Sequence, residues 1–121
     1  MYRRLLARDA MEALEEVGEA RLGSPETIMT GEMSVALARA STAFKAIEDE
    51  YEAILKWYPV KRLYSGVSTD FTLLHRMAEA LRARMKLLNN PYISGVDYFH
   101  KRLDNAIMRG ASLVRTLAQE D

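Results

Sequence analysis

Residues 33–58 read MSVALARASTAFKAIEDEYEAILKWY, and the spacing of their apolar side chains decides the fold. Met33, Leu37, Ala40, Phe44, Ile47, Tyr51, Ile54 and Tyr58 follow one another at gaps of 4, 3, 4, 3, 4, 3 and 4. A helix turning every 3.6 residues gathers such positions into one stripe. Nothing interrupts the pattern before Pro59, and the residue ahead of a proline leaves helical geometry. A stripe this apolar requires partner helices, because most helical stability in proteins comes from burying such a face.

Three other segments supply partners. Residues 2–22 direct Leu6, Ala10, Ala13, Leu14 and Val17 inward and stop at Gly23. Ser24-Pro25-Glu26 reads as a short restart, with Ser24 as N-cap and Pro25 at the first helical position, ending at Gly31 before the helix of 32–58. Residues 70–88, capped by Ser68 or Thr69, place Phe71, Leu74, Ala78, Leu81, Met85 and Leu88 on one face before the stop Asn89-Asn90-Pro91. Residues 95–119 open with Ser94 and Asp97 in capping-box form and repeat Phe99, Leu103, Ala106, Gly110, Leu113 and Leu117. A mid-helix glycine costs about 1 kcal/mol against alanine, so a close neighbour or a kink is expected at Gly110. The expected fold is all-α, an antiparallel four-helix bundle in one domain over residues 1–121.

Composition narrows the chemistry. There is no cysteine, which excludes disulfides and thiolate metal sites. Acidic residues follow the N-terminus too closely for a signal peptide, and no run approaches the roughly 18 apolar residues of a membrane span. A cytoplasmic protein with no membrane partner is expected. Lys and Arg number 17, as do Asp and Glu, but residues 1–58 carry 7 basic and 11 acidic groups and residues 59–121 carry 10 and 6. Halves of −4 and +4 point to pairing between the chain's own elements or with a second copy, rather than to general polyanion binding.

Acidic clusters are the first candidates for catalysis. Glu15, Glu16 and Glu19 lie within about one turn, and Glu48-Asp49-Glu50-Tyr51-Glu52 follows on the next long helix. Carboxylates from two antiparallel helices can supply the oxygen ligands that Mg²⁺ requires. In this arrangement the chain resembles the all-α nucleoside triphosphate pyrophosphatases of the MazG type, which carry EExxE on one helix and ExxD on the next. Glu15, Glu16 and Glu19 match the first motif. At the second, Asp49 and Glu52 keep the spacing with the two acids exchanged. The resemblance implies Mg²⁺ held by Glu15, Glu16, Glu19, Asp49 and Glu52.

Other chemistries find less. Asp97 and His100 stand three apart, but a di-iron bundle needs a Glu-x-x-His pair on each of two helices. There is no glycine-rich phosphate loop and no serine in a strand-turn-helix elbow. Lys61, Arg62, Arg76, Arg82, Arg84 and Lys86, with Tyr64 for stacking, offer a nucleic-acid backbone surface, against a pI near 6.7. Trp57, Arg62 and Tyr64 form an aromatic and basic group of the kind that dominates protein interfaces. The reading that follows is a non-enzymatic interaction or assembly protein without a cofactor, self-associating or docking a protein partner through Trp57, Arg62 and Tyr64. The alternatives are the Mg²⁺-dependent pyrophosphatase and a nucleic-acid binder.

Overall fold

The computed structural model describes residues 2–55 and 66–119. Among them there are five helices and no strand: α1 (Tyr2–Leu22), α2 (Glu26–Thr30), α3 (Glu32–Leu55), α4 (Val67–Leu88) and α5 (Val96–Gln119). The chain is therefore all-helical over these residues.

The stripes form the core. Met33, Leu37, Ala40, Phe44, Ile47 and Tyr51 of α3 are buried, as are Leu6, Ala10, Ala13, Leu14 and Val17 of α1. So are Phe71, Leu74, Ala78, Leu81 and Met85 of α4, and Phe99, Leu103, Ala106, Gly110, Leu113 and Leu117 of α5. Ile54 and Tyr58 lie where no side chain is described. Leu88, expected on the α4 stripe, is exposed instead, because it occupies the last residue of the helix.

Four long helices pack in the ring α1–α3–α4–α5, each against two others. Cross-helix contacts fix their directions. Glu16 meets Arg39, while Asp9 shares a groove with Ala46. Glu48 meets Ser68, and Ser41 meets Thr72. Asp70 pairs with Arg109, whereas Arg84 reaches Ser94, just ahead of α5. Arg21 meets Asp104, and Ala7 shares a groove with Leu117. In every neighbouring pair the residue numbers in contact rise on one helix as they fall on the other.

Helix ends depart from the local expectations. Ser24 does not cap α2; Pro25 holds the cap position and no side chain bonds there. Gly66, with φ of 92°, starts α4 before Ser68 and Thr69, which lie inside its first turn. The Asn89 stop is realised: Asn89 takes φ of 50°, its N–H bonds Lys86 O, and the Asn90 N–H bonds Met85 O. These two bonds form a Schellman motif with asparagine in the glycine position. At α5 the chain enters through Gly95, with φ of 102°.

Candidate functional site

The nominated residues fall into separate places. Trp57, Arg62 and Tyr64 lie outside the described residues, as does Lys61. Glu15 and Glu19 are exposed on α1, and Glu16 is half-buried with its carboxylate 3.0 Å from Arg39 Nη1. Asp49 bonds Lys45 Nζ at 2.8 Å one turn back, holding that ammonium's pKa above its ordinary value, and Glu52 is exposed. Asp49 follows Arg39, the residue level with Glu16, by ten positions, or roughly 15 Å along the helix. The structure thus does not bring the two acidic sets together. Among the described residues no group of three or more His, Asp or Glu is placed to hold a metal.

The basic residues of α4 diverge as well. Arg82 turns toward α2, its Nε 3.4 Å from Met29 O. Arg84 turns toward α5, its Nη1 3.3 Å from Ser94 O. Arg76 and Lys86 are exposed between them.

Between α3 and α4 runs a polar seam that an apolar reading of the chain passes over. Ser34, Ser41 and Glu48 stand seven residues apart on α3. Opposite them Ser68, Thr72, His75, Glu79 and Arg82 repeat at gaps of 4, 3, 4 and 3, the spacing of the apolar stripes. Ser41 Oγ lies 2.6 Å from Thr72 Oγ1. Glu48 accepts two bonds from Ser68, from the amide at 3.1 Å and from Oγ at 2.5 Å. Its carboxylate thereby caps the positive end of α4 from a neighbouring helix. Ser34 is buried, and its Oγ has no hydrogen-bond partner.

Ser34 belongs to an open cleft of about 540 Å³ around the start of α3, together with Gly31, Glu32, Arg39, Glu79 and Arg82. A second polar pairing joins the 23–25 turn to α5: Ser24 Oγ lies 2.7 Å from His100 Nε2. Burial, and then the Arg21 guanidinium, lower the His100 pKa, against the pull of Asp104 and Asp97. That environment disfavours an imidazolium, the species a Ser–His nucleophile must form as it gives up its proton. The pair is a staple between elements 76 residues apart. Comparison with family models, with curated proteins and with solved structures finds no match to this chain.

Proposed function

We propose that the chain is an antiparallel four-helix bundle with a non-enzymatic role, the assembly of copies of itself through flanks of opposite charge. One observation carries this reading. α1 and α3 together hold six basic and ten acidic residues, a net of −4, and α4 and α5 hold eight and four, a net of +4. Among the described residues, no ion pair joins an acid of the first pair of helices to a base of the second. Arg39–Glu16, Lys45–Asp49 and Arg8–Glu12 join residues within the α1–α3 pair, and Arg109–Asp70 joins residues within the α4–α5 pair. Arg21–Asp104 crosses between the pairs, but with the base on the acidic side. The opposed charge is left for an outside surface, and a second copy presents its complement.

Each flank also exposes apolar side chains that such a contact would cover: Met11 and Val35 on one, Leu73 and Met108 on the other. Complementary charge sets orientation and encounter rate, and apolar contact adds affinity.

Sedimentation velocity tests the reading. Assemblies are expected in about 0.1 M salt and a shift toward monomer near 1 M, as the Debye length falls from about 10 Å to 3 Å. A strict monomer at high concentration in both salts overturns it. The Trp57→Ala, Tyr64→Ala double variant then locates the contact. Assembly lost with the fold intact assigns the interface to Trp57, Arg62 and Tyr64, whereas assembly retained assigns it to the charged flanks.

A further inference from the structure

The first turn of α3 has the donors of an anion site and, among the described residues, no side-chain acceptor for them. Gly31, with φ of 91°, leads into the helix and has no side chain with which to cap it. The first amide bonded back across the turn is that of Val35, to Gly31 O at 3.1 Å. The amides of Glu32, Met33 and Ser34 therefore precede the helical ladder and point out of its positive end.

Two side chains converge there. Ser34 is only 5% exposed, and its Oγ has no hydrogen-bond partner. Side chains on a helix tilt toward its N-terminus, so this hydroxyl leans the way the free amides point. Arg82 of α4 lies across the turn, its guanidinium atoms 3.2–3.4 Å from where a Cβ on Gly31 would stand. Its Nε bond to Met29 O leaves other donors of the fork available, and among the described residues it has no carboxylate at ion-pair distance.

The start of α4 shows what is missing. There a carboxylate, Glu48, takes both the Ser68 amide and the Ser68 hydroxyl. At α3 the serine and the amides are present without the acid. We propose that the first turn of α3 binds the carboxylate of a small zwitterionic ligand, with Arg82 and Ser34 as its side-chain contacts. Helix N-termini and guanidinium forks accept carboxylates and phosphates alike. The rim decides between them, for Glu19, Glu32 and Glu79 line the same cleft. Three carboxylates repel a phosphate dianion more strongly than a monoanion, and they attract an ammonium group on the same ligand. The class is that of α-amino acids.

The test uses the full chain, titrated with glycine, acetate and inorganic phosphate while the backbone amides are followed by NMR. Saturable shifts of Glu32, Met33 and Ser34 are expected, at the lowest concentration for glycine, with the capped Ser68 amide unmoved. R82Q should weaken glycine binding about tenfold. S34A removes a buried hydroxyl that lacks a partner, so the ligand-free protein should be no less stable while glycine binding weakens several-fold. Shifts that do not saturate with any probe, or glycine binding unchanged in both variants, overturn the site. Phosphate bound more tightly than glycine overturns the ligand class.

Discussion

The interior where α1, α3 and α5 meet and the seam between α3 and α4 are built from the same heptad spacing with opposite chemistry. In the first, a Cβ on Gly110 would stand 2.9 Å from Phe44 Cζ and 3.1 Å from Leu14 Cδ2, and Phe44 stacks on Phe71 with ring centroids 5.3 Å apart. No polar side chain takes part, and the contact is set by shape. In the second, hydroxyls and one carboxylate pair across the helices, and what they fix is register. Apolar stripes allow a helix to slide by a turn at modest cost, whereas a slide here would leave Glu48 and Ser68 without partners. The apolar contact supplies most of the stability, and the polar one selects the alignment.

The apolar side of the comparison predicts the largest effect. Alanine at Gly110 would recover helix propensity, but any Cβ meets a buried ring that cannot retreat from Phe71. Gly110→Val should destabilise the protein by about 3 kcal/mol, the upper end of overpacking in a filled core. Urea denaturation measures it. A neutral result would mean that the helices separate easily at this point and that the interior is not set by shape.

This contact also shows how far the sequence could be read. The four apolar stripes and the close approach at Gly110 are local patterns, and periodicity alone places them. The helix starts are not local. Ser68 reads as a cap because it precedes an apolar run, yet its donors go to Glu48, twenty residues earlier on another helix. Ser24 reads as a cap for the same reason, and its hydroxyl goes to His100. The polar seam could have been seen, since Ser68, Thr72, His75, Glu79 and Arg82 keep a helical period. A search for apolar periodicity passes over it. Ser34 gave no signal at all, because its significance is the absence of a partner after folding.

On the polar side, Glu48→Ala should cost about 2 kcal/mol, the scale of a lost cap with charge-assisted bonds. Ser68→Ala should cost less, because the amide bond to Glu48 remains. The double-mutant cycle distinguishes pairing from simple loss of polarity. A coupling energy of about 1 kcal/mol is expected for directly bonded groups, and strict additivity would remove the seam's claim to set register.

The smallest effect is expected at the other polar staple, and it depends on pH. His100 is bonded to Ser24, with Arg21, Asp104 and Asp97 acting on its charge. Burial is the largest influence and Arg21 the next, so the folded protein holds this proton less tightly than the unfolded chain, whose pKa is the ordinary 6.5. Between the lowered value and 6.5 the unfolded state binds more protons, and stability therefore rises with pH. The contribution is complete above 6.5 and is lost as pH falls below it. His100→Asn keeps a side chain able to bond Ser24 but cannot titrate. Urea midpoints taken between about pH 5.5 and 7.5, above most carboxylate titrations, should slope less in the variant than in the parent protein. If the two slopes are equal, the imidazole is no more burdened by charge than in the unfolded chain. The α1–α5 junction would then tolerate a cation that its burial and Arg21 ought to reject.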